Sequence, residues 1–163
     1  MKKYVITLDT GTTNTRASLW SREGTYLGME KISVGVRNTA IDGHNGQLKQ
    51  AVSACLRTLL EKAEVPVQEV AGVFASGMIT SNVGLLEVPH LTAPAVVGDF
   101  AQHVVRADLP EVSPIPFYFI PGLKNTLGNG EDLKEMDIMR IVHLLIGVAA
   151  GVIIGYLIWG VKH

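Results

Sequence analysis

The chain has 163 residues, enough for one domain with a real hydrophobic core and short for two. Its 14 Lys and Arg stand against 15 Asp and Glu, a formal charge of −1, which leaves no basic field to hold nucleic acid without sequence preference. The single cysteine, Cys55, has no partner within the chain and fits a reducing cytosol, and the apolar run after Met1-Lys2-Lys3 meets Asp9 too early for a secretion signal.

Tyr4 to Leu8 is β-rich, Asp9-Thr10-Gly11-Thr12-Thr13 supplies turn residues, and a second β-type run follows from Thr15 to Trp20. A turn at Arg22-Glu23-Gly24 leads to a third strand, Tyr26 to Val34, completing an antiparallel meander. Leu48, Val52, Cys55, Leu56, Leu59 and Leu60 share one side of an amphipathic helix, with Lys49, Gln50, Arg57, Glu61 and Lys62 opposite. Cys55 therefore reads as a small core residue rather than a nucleophile. Pro66 is expected to end this helix. Val70 to Ser76 reads as a strand covered on both faces, giving the order β-β-β-α-β. Pro89 to Pro121 holds six of the seven prolines, so it is expected to be extended and irregular, with a short strand over Phe117 to Ile120. Asn125 to Gly130 is a polar turn before a short helix, Glu131 to Arg140, and no internal repeat is present.

From Ile141 to Val161 there are 21 residues without Asp, Glu, Lys or Arg. At ~1.5 Å per residue such a helix spans about 30 Å, one bilayer crossing. Gly147, Gly151 and Gly155 form a small-residue stripe suited to homo-oligomeric helix packing, and Tyr156 and Trp159 sit as interfacial anchors. Lys134 and Arg140 before the segment, against Lys162 after it, would leave residues 1–140 in the cytoplasm. The alternatives are a helix buried in the fold and a tail that is no evolved part of the protein.

Polyphosphate needs several backbone N–H groups converging on it, and a Gly/Thr turn between two strands offers such a nest. Asp9-Thr10-Gly11-Thr12-Thr13-Asn14 has that chemistry: Gly11 permits close approach, Thr12, Thr13 and Asn14 add donors, and Asp9 can hold a hydrated Mg²⁺. Arg16 can counter phosphate or sugar-acid charge. The competing reading is a plain hairpin in which Asp9 and Asn14 cap the turn. No Gly-Lys-Ser or Gly-Lys-Thr follows, so this is not a Walker loop. His44, His90, His103, His143 and His163 lack metal-ligand spacing.

Leu8 to Ala17 resembles the first phosphate motif of the actin-like superfamily. Ala75-Ser76-Gly77-Met78-Ile79-Thr80-Ser81-Asn82-Val83-Gly84, with Glu87-Val88-Pro89 and Pro94-Ala95 behind it, resembles the second signature of the 2-dehydro-3-deoxygalactonokinase family. Ile120-Pro121-Gly122-Leu123 and Asp137-Ile138-Met139-Arg140 match further segments of that family in the same order. The resemblance implies an α/β, RNase H-like (actin-like ATPase) domain over residues 1–140, a mixed five-stranded sheet with flanking helices; the apolar helix over 141–163 is expected from hydropathy and length, not from the resemblance. The resemblance also implies ATP- and Mg²⁺-dependent phosphorylation of the 6-hydroxyl of 2-dehydro-3-deoxygalactonate. Gly77, Ser81 and Asn82 are then expected around the sugar acid, although Ser81 and Asn82 equally suit the cap of a helix starting near Val83. Asp9 and Asp137 are the candidate catalytic carboxylates; for Asp137 the competing reading is the acidic face of a solvated helix.

The sequence departs from the family after Arg140, where a Gly-Glu-Glu segment gives way to Ile141. The family's second lobe is absent from these residues too. Phosphoryl transfer depends on charge stabilisation from both sides of the nucleotide, so little activity is expected of the chain alone. Two other readings compete: a membrane-tethered sugar-acid or nucleotide binding module without catalysis, and a truncated or frame-shifted gene product.

Overall fold

The computed structural model describes residues 2–124. Period-2 burial along the first two runs of the chain makes β1 (Tyr4–Thr10) and β2 (Thr15–Ser21), which pair antiparallel, and β3 (Tyr26–Ile32) continues the meander. Helices α1 (Val36–Asp42) and α2 (Gly46–Lys62) lead to β4 (Val70–Gly77), which lies parallel to β1. After it come β5 (Leu91–Thr92), α3 (Val97–His103), β6 (Val105–Ala107), β7 (Phe117–Phe119) and β8 (Leu123–Lys124). The main sheet has six strands in the order β3-β2-β1-β4-β7-β6, with β4 and β7 parallel and β6 and β7 antiparallel; β5 and β8 form a separate parallel ribbon.

The expected α/β fold is present, with one strand more than the five expected in the main sheet. The added strand is β6, from the proline-rich stretch read as irregular. No proline lies within β6 or β7, so both keep every N–H of their ladder, with Val105 opposite Phe119 and Ala107 opposite Phe117. The third strand stops at Ile32 rather than Val34, because the Val34 carbonyl turns to accept the Thr15 hydroxyl at 2.8 Å.

The core lies between α2 and one sheet face. Leu48, Val52, Cys55, Leu56 and Leu59 meet Ile6, Leu8, Ala17, Leu19, Val73, Ala75, Phe117 and Phe119. Seven of the eight β4 residues are buried, so the continuous apolar run marks a central strand as expected. On the opposite face a smaller cluster of Val5, Ala71 and Phe74 packs with Trp20, Tyr118 and Ile120, the Phe74 and Tyr118 rings stacked at 5.0 Å. Among the described residues no helix is long and apolar enough to cross a membrane. The helix expected over 131–140 and the apolar segment 141–161, with Gly147, Gly151 and Gly155, lie outside the described residues.

Helix α2 ends before Pro66, and the reason is local. Glu64 takes a left-handed conformation at φ 53°, its N–H bonds to the Glu61 carbonyl at 3.2 Å, and the Val65 N–H reaches back to Leu60 at 3.0 Å. This is the two-bond Schellman closure, with a glutamate where glycine usually sits. Replacing Glu64→Gly relieves the Cβ conflict but loosens the unfolded chain, so a net gain of about 0.5–1 kcal/mol is expected in urea denaturation. The Cys55 thiol lies in the core, 3.5 Å from the Glu30 carbonyl, and burial, with the Glu30 charge second, pushes it up to about 11 from 9.0. Because the raised pKa belongs to the folded state, its stabilising contribution is complete below pH 9 and is lost as pH rises through 11. The stability gap between the unsubstituted chain and Cys55→Ala should therefore narrow between urea melts at pH 8 and at pH 10.5.

Candidate functional site

Strands β1, β4 and β7 run parallel and end at one edge of the sheet, with Thr10 beside Gly77. In open α/β sheets the loops beyond such carboxyl ends form the usual ligand-binding crevice. Three connections meet there: residues 11–14 after β1, residues 78–90 after β4, and residues 120–122 after β7.

The loop after β1 is closed at its base by Gly11 N–H donating to the Asn14 carbonyl at 2.9 Å. Beneath it Thr10 and Thr15 are fully buried, their hydroxyl oxygens 3.3 Å apart, and Thr15 holds the Val34 carbonyl. That bond brings Gly35 against the loop. From there the Val36 amide donates to the Gly11 carbonyl at 3.2 Å and the Arg37 amide to the Thr12 carbonyl at 3.0 Å. The only cis peptide among the described residues is Ala93-Pro94, so the loop peptides are trans. In a trans peptide the C=O and the next N–H point in opposite directions. With the Gly11 and Thr12 carbonyls aimed at α1, the Thr12 and Thr13 amides both point away from it. The Thr12 and Thr13 side chains are exposed at the tip, and the Asn14 side chain donates to the Thr13 hydroxyl at 2.9 Å.

Asp9 lies one residue before the strand end, in register with Arg16 on β2 and Ser76 on β4, and Arg16 is in register with Lys31 on β3. These four residues form a row on the sheet face opposite α2. Arg16 and Lys31 are exposed, Asp9 half-buried and Ser76 buried. No group of three or more His, Cys, Asp or Glu suited to a metal is found among the described residues. A single carboxylate does fit Mg²⁺, which retains several waters and is usually held by one or two carboxylates together with substrate phosphates.

After β4, Gly77 takes φ 83° and ψ −151°, a conformation open essentially to glycine. The following 3₁₀ turn, Met78–Thr80, is held by the Thr80 hydroxyl on the Gly77 carbonyl at 2.9 Å and the Ser81 hydroxyl on the Met78 carbonyl at 2.7 Å. The Thr12 hydroxyl meets the Met78 sulfur at 3.4 Å, so the loops after β1 and β4 touch. No helix starts near Val83; Ser81 caps the 3₁₀ turn instead, and Asn82 is exposed. Asn45, at the head of α2, anchors this second loop by donating to the Gly84 carbonyl at 3.2 Å. Gly11, Thr12, Thr13, Asn14, Gly77, Ser81 and Asn82 thus gather at one edge, with Asp9 and Arg16 on the adjoining sheet face. Asp137 lies outside the described residues.

Sequence reasoning missed the support beneath the loop: Thr10 and Thr15 below it, Gly35 and the α1 amides beside it. A lone glycine in the β-rich Ser33-Val34-Gly35-Val36 was the available signal, since such a residue often marks close backbone approach. Thr15→Val removes the hydroxyl under the loop and leaves the Val34 carbonyl unpaired. A loss of about 1–3 kcal/mol is expected in urea denaturation, with Thr15→Ser losing less because it keeps the oxygen.

Similarity to known proteins agrees with this geometry. A crystal structure of a Sinorhizobium meliloti protein assigned as a 2-dehydro-3-deoxygalactonokinase superposes with a TM-score of 0.60 at 16% identity, over 86% of this chain and 43% of that one. A reductive activator for a corrinoid, iron-sulfur protein superposes at 0.52 and 15% identity, over 74% of this chain and 23% of its own. These two likenesses show the fold. The glycerol kinase of Bacillus mycoides (strain KBAB4) is 32% identical over 76 residues, 45% of this chain and 15% of that enzyme. The chain therefore spans less than half the length of the relatives it matches. The profile of the 2-keto-3-deoxy-galactonokinases matches residues 9–141, so the chain belongs to this family of carbohydrate kinases.

Proposed function

We propose that the described residues form the phosphate-holding wall of an RNase H-like, actin-like ATPase domain that phosphorylates the 6-hydroxyl of 2-dehydro-3-deoxygalactonate with ATP. The observation that carries this reading is the pair of Thr12 and Thr13 amides directed away from α1, beside the half-buried Asp9. Main-chain N–H groups turned toward one point form an anion-binding concavity. In this reading Gly11, Thr12, Thr13 and Asn14 receive the terminal phosphates, Asp9 holds Mg²⁺ through water, and Arg16 offsets anionic charge. Bound Mg²⁺ would neutralise charge developing on the phosphate oxygens. The Gly77–Asn82 turn, in contact with the phosphate loop through Met78, lies where the sugar acid would be read by neutral hydrogen-bonding groups. Asp137 remains the second candidate for a catalytic carboxylate.

Gly11 offers a substitution that the fold itself tolerates. A Cβ there would meet only the Asn14 carbonyl oxygen, at 3.9 Å, and the residue is not in the left-handed region. Neither crowding within the protein nor backbone conformation calls for glycine there, as at Gly28 on β3, so the fold tolerates an added methyl group at both positions and only the one at Gly11 would face a ligand held by the loop. Protein groups that hold phosphate from one side of a nucleotide position it without stabilising the whole transition state, so slow turnover is expected of these 163 residues alone.

The test is calorimetric titration of the 163-residue chain with Mg-ATP and with 2-dehydro-3-deoxygalactonate, beside a coupled assay of ADP release. Saturable Mg-ATP binding is expected, weakened at least about tenfold by Gly11→Ala while its urea midpoint stays near that of the unsubstituted chain, and weakened similarly by Asp9→Ala, in line with 1.4 kcal/mol per decade. Absence of Mg-ATP binding by the unsubstituted chain would sink the proposal.

A further inference from the structure

The amides of the first turn of α1 are directed inward, onto the loop, and the residue that permits this is Gly35. Its backbone is extended, φ −143° and ψ −168°, a conformation any residue adopts. What excludes a side chain is contact: a Cβ at Gly35 would fall 2.4 Å from the Gly11 carbonyl oxygen and 2.5 Å from both the carbonyl carbon and oxygen of Thr12. All three atoms are backbone of the phosphate loop, so the loop itself would have to move. Asn38 secures Gly35 from the other side, its Oδ1 accepting the Gly35 N–H at 3.5 Å while its Nδ2 donates to Gln47 Oε1 on α2 at 3.0 Å.

We infer that Gly35 is a positioning residue for polyphosphate binding: by letting the start of α1 capture the Gly11 and Thr12 carbonyls, it turns the Thr12 and Thr13 amides toward the phosphates. This rests on the proposed reading of the loop as the phosphate site. The ligand class is the di- or triphosphate of a nucleotide or inorganic pyrophosphate with Mg²⁺, and Gly35 itself touches none of it. Displacing the loop by the clash of one methyl group swings both peptide planes and disperses the amides.

Gly35→Ala, Val36→Pro, Val36→Ala and Gly28→Ala separate this role from simple destabilisation. Val36→Pro deletes the amide that holds the Gly11 carbonyl, at the first helical position where proline is well accepted, whereas Val36→Ala loses more of the side chain and keeps the amide. Gly28 on β3 has nothing within 4 Å of an added Cβ and serves as the control. Affinity for Mg-ATP and for magnesium pyrophosphate is measured by calorimetry on full chains that circular dichroism shows to be folded. Amide chemical-shift changes at Thr12 and Thr13 on adding magnesium pyrophosphate give a local readout.

Gly35→Ala and Val36→Pro should weaken both ligands tenfold or more and abolish the Thr12 and Thr13 shifts, while Val36→Ala and Gly28→Ala stay within threefold of the unsubstituted chain. Should Gly35→Ala fail to fold, the Val36 pair decides alone. Unchanged affinity in Val36→Pro, or in a folded Gly35→Ala, overturns the inference and leaves the proposed function standing. If the unsubstituted chain binds neither ligand, the proposed function fails and this inference with it.

Discussion

The structure of this edge depends on where the carbonyl groups of a four-residue loop go. Each residue of the loop carries an acceptor and a donor, and in a trans peptide the two neighbours are opposed. A loop that offers its amides outward must satisfy its carbonyls inward, and the first turn of α1 supplies the donors for Gly11 and Thr12. Helix N-termini have amides without intrahelical partners, so these donors are available at no cost to the helix. The unmatched half of one element thereby completes the unmatched half of another. The buried Thr10 and Thr15 pair below, with Thr15 fixing the Val34 carbonyl, brings the two together.

The sheet gives this junction its setting. A meander makes β1 both the first strand and an inner strand, and the crossover through α2 lays β4 parallel beside it. With β7 parallel to β4 in turn, three strand ends reach one edge. The large core under α2 fixes the strands, since Ile6, Leu8, Ala17 and Leu19 alternate inward along β1 and β2. Asp9, Arg16 and Ser76 belong to the other parity and so line the opposite face. A shift of one residue in the β1–β2 register would bury Asp9 under α2 and expose Leu8, so the hydrophobic pattern also determines where the carboxylate stands.

Elements that follow a long regular pattern were legible in the sequence. Helix α2 shows period 3.6 over Leu48 to Leu60, and β4 shows an unbroken apolar run; both are decided by local residue choice. Helices α1 and α3, of seven residues each, fall below the length at which a helix is stable by itself, and β5, β6 and β8 hold two or three residues. Contacts distant in the chain form these, and no window of sequence contains those contacts. The end of α2 shows the same limit from the other direction. Pro66 was the visible stop signal, yet the bonds of Glu64 and Val65 close the helix earlier. For the site, Asp9 to Asn14 and Gly77 to Asn82 were readable as groups, and the contact of Thr12 with Met78 brings the two loops together. The carbonyl clamp was not, because its donors come from residues more than twenty positions further on.

Two glycines at this junction look alike in the sequence and differ in what requires them. Around Gly35 the protein itself occupies the space, with backbone atoms 2.4 and 2.5 Å from any added carbon. At Gly11 an added Cβ would find only the Asn14 carbonyl oxygen, 3.9 Å away. The first glycine shapes the loop; the second leaves room beside it. Gly28 on β3 has open space around an added Cβ as well, so clearance alone does not mark a site; what distinguishes Gly11 is its place in a loop whose neighbouring amides turn outward. The inner glycine is therefore required by the fold and the outer one is not, so a methyl group added at the outer position alters what the loop can hold without disturbing the strands beneath it.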